Sequence, residues 1–131
     1  MKLKNLVVVL VAAIISYSFT IQNNEPGQET YETYCVACHQ ADGQGQVGIN
    51  PPLVGSEWVT GDKIRLIKTV MLGLNEPQII NGIKYNNAMP THDYLEDAEL
   101  ANVITFVRKK YGLMPDSISI ADIKTVRESL K

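Results

Sequence analysis

The pentapeptide Cys35-Val36-Ala37-Cys38-His39 constrains this chain more than any other feature of its 131 residues. It holds both cysteines of the sequence and one of its two histidines. A disulfide that holds a fold in shape does not join adjacent helical turns, and a disulfide scaffold needs more cysteines than these. The pattern C-x-x-C-H therefore indicates chemistry at these residues rather than a structural crosslink.

Covalent attachment of a haem is the chemistry that this pattern predicts. The two thiols add across the vinyl groups of the porphyrin, and the adjacent imidazole reaches the iron as its proximal ligand. We therefore expect Cys35 and Cys38 to hold one haem c and His39 to bind its iron. A zinc site is one alternative, but the remaining histidine, His92, lacks the ligand spacing of zinc motifs. A thioredoxin-like dithiol is another alternative. That fold requires a strand before the C-x-x-C motif, and no strand pattern precedes Cys35.

Composition and charge narrow the class of protein further. With 45% apolar and 20% charged residues, the chain fits one globular domain. The formal net charge of −2 offers no electrostatic footprint for nucleic acid, which we exclude as a partner. Six acidic and no basic side chains occur between Glu25 and Asp62. This imbalance predicts docking on a neutral or basic redox protein. The alternative is an acidic surface that only keeps the protein soluble.

The N-terminus has the pattern of a secretory signal. Lys2 and Lys4 precede an apolar run over 6–15, and small residues follow it. We assign 1–20 to a signal peptide and 21–26 to a linker, and we expect a periplasmic or exported protein. No A-x-A cleavage site is present and no charge occurs between Lys4 and Glu25. An uncleaved anchor on the periplasmic side of the membrane is therefore the alternative.

Apolar spacing predicts an all-α domain over 27–112. The first helix covers 27–37 and carries the cysteines, the second covers 63–72, and the third begins at Glu96 or Asp97 and ends at Gly112. In the second helix Asp62 suits the N-cap and Gly73 the C-terminal end. The apolar side chains that share its face are Ile64, Ile67 and Met71.

A further segment, 113–131, follows as a C-terminal helical extension. Ser119 and Asp122 form a capping box at its start. An apolar stripe follows, made of Ile120, Ile123, Val126 and Leu130. This helix either packs on its own domain or docks on a larger dehydrogenase or oxidase subunit.

The order and spacing of these motifs resemble those of a class I bacterial cytochrome c over roughly 27–112. Besides the haem motif, the matching residues are Gly27, Tyr31, Asp42-Gly43-x-Gly45, Pro51-Pro52-Leu53-x-Gly55-Ser56-x-Trp58 and Ala88-Met89-Pro90. The resemblance implies a small fold of three to five short helices wrapped round the haem. It also implies that the first and last helices cross, with Gly27 and Tyr31 against Val103 and Phe106.

The resemblance assigns the distal iron ligand to Met89, in the A-M-P motif. Met71 continues an apolar helix stripe and is interpreted as core. Met114 also precedes a proline and is a weaker candidate. His92 would give a bis-histidine iron of lower potential, but it follows Met89 by three residues and we expect it to point to solvent.

Other pocket residues have softer assignments. His39 would donate its second ring N–H to a carbonyl, which the resemblance places at Pro51 or Pro52. The indole of Trp58 would reach a haem propionate or cover the haem edge. Candidates for hydrogen bonds to the Met89 sulfur or to a propionate are Tyr85, Asn86 and Asn87.

The functional prediction is a single-haem electron carrier, not an enzyme. It would act as a monomer between a redox donor and an acceptor, such as a dehydrogenase and a terminal oxidase or reductase. A five-coordinate haem enzyme or gas sensor is the first alternative, because an iron with one protein ligand binds small molecules. A cytochrome subunit docked on a larger dehydrogenase or oxidase is the second.

Overall fold

The computed structural model describes residues 24–131, so the predicted signal peptide and residues 21–23 of the predicted linker lie outside the described residues. Most of the regular structure in this range is helical, as the all-α prediction requires. The elements are α1 Gln28–Tyr34, α2 Val36–His39, α3 Glu57–Thr60, α4 Lys63–Leu72, β1 Gln78–Ile80, β2 Ile83–Tyr85, α5 Asp97–Gly112 and α6 Ile120–Ser129. Among residues 24–131, no helix combines the length and hydropathy needed to span a bilayer.

The haem motif stands where α1 gives way to α2, so the prediction of one helix over 27–37 was wrong in detail. Cys35 departs from helical geometry with φ −114°, which separates the two helices. Its N–H donates to Tyr31 O and its carbonyl accepts from His39 N, so the helical path is nearly continuous. The path ends at Gln40, whose φ is +63°. His39 therefore lies in the last turn of a helix, beside the irregular loop that follows.

The predicted crossing of the first helix with the helix before Gly112 is confirmed. A Cβ on Gly27 would lie 2.2 Å from the carbonyl oxygen of Asn102, so the two backbones touch where glycine stands. One turn later, the ring centroid of Tyr31 lies 5.5 Å from that of Phe106. The Tyr31 hydroxyl donates to Gln40 O at 2.7 Å and ties the crossing to the end of α2. This contact fixes the haem motif relative to α5.

Helix α4 has the predicted bounds and caps. The carboxylate of Asp62 accepts from Arg65 N at 2.7 Å, and Gly73 follows the last turn with φ +69°. The predicted face was partly wrong, because Ile64 is 41% exposed. The buried face instead holds Leu66, Ile67 and Met71, which meet the core from consecutive turns.

Helix α6 begins at the predicted capping box and packs against α5 and α4. Ile123 and Val126 are fully buried. The two ends of the predicted apolar stripe, Ile120 and Leu130, are exposed, because the helix lies against its neighbours with its middle turns. Arg127 donates to the Asp97 carboxylate at 2.9 Å and secures the contact.

Helix α3 and the hairpin β1–β2 were not predicted. The strands pair antiparallel around Asn81 and Gly82, which both have positive φ. An Asn-Gly pair between β-branched residues is the strongest short hairpin signal, so the sequence did carry this information. The hairpin leads the chain toward Met89.

A buried cation joins α5 to the end of α3 and to the segment after α5. Arg108 of α5 is 2% exposed and donates to Val59 O and Gly61 O, at 2.7 and 3.1 Å. Its guanidinium also donates to both carboxylate oxygens of Asp116, which pairs in addition with Lys63. Every polar direction of the buried charge is thus met, as burial of a cation demands.

Candidate functional site

Two adjoining cavities open between the haem motif and the chain around Met89. The space between their walls, which includes open solvent at their mouths, is about 730 and 650 Å³. Cys35, His39, Met89 and His92 line both of them. Aliphatic side chains make up much of the remaining wall, from α4, α5 and the loop after Pro51. The residues predicted to hold the haem therefore line two adjoining cavities whose walls are largely apolar.

The two cysteines lie at one end of this space. Both thiols are free and partly buried, and Cys38 lines the second cavity with Cys35. Burial, with a smaller contribution from Cys38, raises the pKa of the Cys35 thiol to about 11. A dithiol that exchanges disulfides needs a lowered thiol pKa instead. The environment of Cys35 therefore argues against disulfide exchange of the thioredoxin type.

One side-chain hydrogen bond orients the His39 ring and sets its tautomer. Its Nδ1 lies 3.0 Å from the carbonyl oxygen of Pro51. Because a carbonyl can only accept, Nδ1 carries the proton and Nε2 keeps its lone pair. Burial lowers the pKa of His39 and outweighs the opposing effect of the Pro51 contact, with His92 lowering it further. A neutral imidazole with a free nitrogen is the form that binds iron.

Met89 is placed by its backbone. Its N–H and carbonyl both bond to Leu74, at 2.8 and 2.9 Å. The chain comes so close here that a Cβ on Gly73 would lie 2.3 Å from Met89 O. Met71 and Met114, the other methionines among residues 24–131, line neither cavity, and Met71 is buried in the core as predicted. Gly73 and Leu74 were not predicted to serve the site, although Gly73 was recognised as a helix end.

The remaining pocket residues divide between the two cavities. Pro52 and Trp58 line the first, and Tyr85 and Asn87 line the second. Trp58 is partly exposed and lies under the guanidinium of Arg65, 4.9 Å from its ring centroid. The side-chain amide of Asn87 donates to the Asn50 side chain at 2.8 Å, so this donor already has a partner.

His92 does not point to solvent, and that prediction was wrong. It is 6% exposed and lines both cavities. Its backbone N–H donates to Val70 O and Met71 O at 3.2 Å, which holds the residue against the end of α4. Its Nδ1 is buried without a hydrogen-bond partner. The spacing from Met89 gave no sign of this, because the burial depends on contacts with α4.

The donor set of this space fits a haem c. It offers two thiols at one end, a neutral imidazole with a free nitrogen, a thioether and a largely apolar wall. It also leaves one buried imidazole nitrogen without a protein partner. Within residues 24–131, no three side chains among His, Cys, Asp and Glu come together as a zinc site would require.

Comparison with known proteins gives a consistent picture. The family described as cytochrome c oxidase, cbb3-type, subunit III matches residues 22–107. The chain is 36% identical over 104 residues to the cytochrome c subunit of the quinone alcohol dehydrogenase of Gluconobacter oxydans strain 621H, covering 77% of this chain and 22% of that protein. It is 35% identical over 82 residues to cytochrome c-552 of Thermus thermophilus, covering 60% of this chain and 63% of the relative. The chain thus spans less than two thirds of the length of these relatives.

Proposed function

Because this chain belongs to the c-type cytochromes, in the family described as cytochrome c oxidase, cbb3-type, subunit III, we propose that it is a periplasmic one-electron carrier with His39 and Met89 as axial iron ligands. The family implies covalently bound haem c, for which Cys35 and Cys38 are the two thiols of the chain. The observation that carries the proposal is the shared cavity, which Cys35, His39 and Met89 all line.

The protein residues act by holding donors in place. Bound haem supplies a one-electron Fe(III)/Fe(II) couple. The Pro51 carbonyl orients the His39 ring and leaves Nε2 free for the metal. The paired hydrogen bonds with Leu74 hold the backbone of Met89, and Pro90 restricts the backbone after it. Electron transfer without ligand exchange needs this kind of rigid site, and it needs no acid, base or nucleophile.

The donor set favours a positive reduction potential. A thioether stabilises ferrous iron, and an apolar wall penalises the extra charge of ferric iron. The aliphatic residues that build this wall include Leu66, Val70, Leu74, Val103 and Ile104. A protein with this site would accept electrons readily and pass them on to an oxidant of higher potential.

The test is the absorption spectrum of protein matured in a periplasm, compared with the variants Met89→Ala and Met114→Ala. Wild type should have sharp low-spin ferrous bands and the weak far-red ferric band of an iron–methionine bond. Met89→Ala should lose the far-red band and have a lower potential, because the thioether no longer favours ferrous iron. Met114→Ala is the matched control and should leave both unchanged.

Four results would contradict the proposal. Absence of the far-red band in wild type, or its survival in Met89→Ala, would remove Met89 as the ligand. Loss of the band in Met114→Ala would transfer the role to that residue. High-spin bands with rapid binding of carbon monoxide to the ferrous wild type would favour the five-coordinate enzyme or sensor instead.

A second function is supported by the similarity to the cytochrome c subunit of the quinone alcohol dehydrogenase. In this second proposal, the protein is a subunit docked on a larger dehydrogenase or oxidase and receives its electron there. The test is stopped-flow reduction of the ferric protein by the catalytic subunit of a quinone alcohol dehydrogenase. Reduction at the rate seen with a cytochrome of unrelated fold would argue against a dedicated dehydrogenase partner.

A further inference from the structure

His92 brings a second imidazole into the haem cavity. It is 6% exposed, and its buried Nδ1 has no partner among the described residues. Buried polar atoms usually have a hydrogen-bond partner, so the protein alone does not satisfy this ring. Nδ1 has almost no accessible surface and is covered by protein atoms, whereas Nε2 is neither fully buried nor hydrogen-bonded among the described residues. Because His92 lines both cavities, Nε2 is the ring nitrogen open to whatever fills them.

The fold presents His92 and Met89 to the cavity from one chain segment. Leu74 holds Met89 by two hydrogen bonds, and three residues later the N–H of His92 bonds to Val70 O and Met71 O. Both anchor points lie at the end of α4 or just after it. His39 enters from another direction, on α2 and against the loop at Pro51. The chain segment that carries Met89 therefore also brings His92 to the wall of both cavities.

The surroundings of His92 limit what its free nitrogen could meet. Its ring centroid lies 6.3 Å from that of Tyr34, the residue before Cys35, and 6.0 Å from that of Tyr94. His92 therefore lies toward the cysteine end of the site. The propionates of a porphyrin stand on the edge opposite the vinyl groups, to which the cysteines bond. A propionate is thus poorly placed to be the partner, whereas the iron lies between the two edges.

We propose that His92 is the reserve axial ligand of this site, an imidazole that binds the iron when Met89 does not. The proposal rests on the proposed function, which makes Met89 the distal ligand. The exchange replaces an iron–sulfur bond by an iron–nitrogen bond and moves no electron. A chain with this device keeps its iron six-coordinate when methionine is lost, and it stays closed to small ligands such as carbon monoxide.

The composition of the chain makes the proposal easy to test. The sequence contains two histidines, so a second imidazole on the iron can come from His92 alone. Three variants suffice: Met89→Ala, His92→Phe and the double variant of both. Phenylalanine keeps the aromatic contact with Tyr34 and Tyr94 but cannot bind a metal. If His92→Phe does not mature, His92→Gln keeps a polar side chain without strong ligand character.

The measurements are ferric electron paramagnetic resonance, the ferric and ferrous absorption spectra, and carbon monoxide binding to the ferrous protein. We expect Met89→Ala to lose the far-red band yet remain low-spin, with the resonance of bis-histidine iron and slow carbon monoxide binding. The double variant should become high-spin and bind carbon monoxide rapidly. His92→Phe alone should keep the far-red band of wild type.

Two results would overturn the proposal. Met89→Ala could be as high-spin and as open to carbon monoxide as the double variant, in which case His92 does not reach the iron. Alternatively, the double variant could stay low-spin, in which case another side chain is the reserve ligand. Failure of the proposed function has a different signature, since it is judged by the far-red band of wild type.

Discussion

The crossing of α1 and α5 at Gly27 predicts a large and specific effect of one methyl group. Gly27 has φ +88°, and a Cβ built there lies 2.2 Å from Asn102 O, 2.4 Å from the Asn102 carbonyl carbon and 2.7 Å from Val103 N. All three atoms belong to the backbone of α5, so no side chain can rotate away. Ordinary contact would require the helices to move apart by roughly 1 Å, which would loosen the packing of Tyr31 on Phe106.

The cost of Gly27→Ala has two parts, and the chain provides a control that separates them. A left-handed residue with a Cβ costs about 1–2 kcal/mol. Forcing the helices apart adds about 1–3 kcal/mol, the usual cost of overpacking. Gly82→Ala has the first part alone, because Gly82 has φ +78° and nothing within 4 Å of a built Cβ. We therefore expect Gly27→Ala to destabilise the protein by about 1–3 kcal/mol more than Gly82→Ala does.

Guanidinium unfolding of the haem-loaded protein measures both variants. Trp58 is the single tryptophan of the chain and lines the cavity, so its fluorescence should be quenched by haem when folded and recover on unfolding. Equal slopes against denaturant would validate the comparison of free energies. If the two variants lose the same stability at equal slopes, the backbone contact at Gly27 does not hold the helices together, and the reasoning fails.

Two more predictions concern stability. Deleting 113–131 should lower the melting temperature strongly, because Ile123 is fully buried against the domain; unchanged stability would mean that α6 contributes nothing to the isolated domain. Hydrogen bonds from Arg108, then Lys63, lower the pKa of Asp116 below its ordinary value of 3.8. Its charge therefore stabilises the fold above that value, and the stabilisation disappears as pH falls through the lowered pKa. The melting temperatures of wild type and Asp116→Asn should thus differ at about pH 6 and converge toward about pH 2, and a constant difference would contradict this.

Helix bounds were predictable from sequence where caps are local. Asp62 bonds to a backbone N–H three residues ahead, and Ser119 does the same with Asp122. Such bonds depend on neighbouring residues alone, so the sequence contains them in full. The buried face of a helix depends on its neighbours as well. Ile64 was assigned to the core by its spacing, but α4 turns a face one residue further along toward α5 and α6.

The candidate site shows the same division between local and distant information. The cysteines and His39 lie on adjacent helical turns, so their convergence follows from spacing. The carbonyl that receives His39 could be narrowed to two prolines, and Pro51 is the one in contact. Pro51 lies 12 residues after His39, so this contact crosses only one loop of moderate length. The resemblance to a known family, rather than any local pattern, carried the assignment of Met89.

The far side of the site was predicted least well because its residues are placed by pairs that are distant in sequence. The backbones of Leu74 and Met89 bond to each other on either side of the hairpin. After Pro90, the backbone N–H of His92 donates to Val70 O and Met71 O. In an irregular segment, a histidine three residues after the proposed ligand Met89 has no fixed side-chain direction, so exposure to solvent was a reasonable expectation. In the structure His92 is buried, because two carbonyls at the end of α4 accept from its backbone N–H. The end of α4 and the residue after Gly73 thus anchor the backbones of both Met89 and His92, and the spectrum of Met89→Ala tests whether the His92 imidazole binds iron.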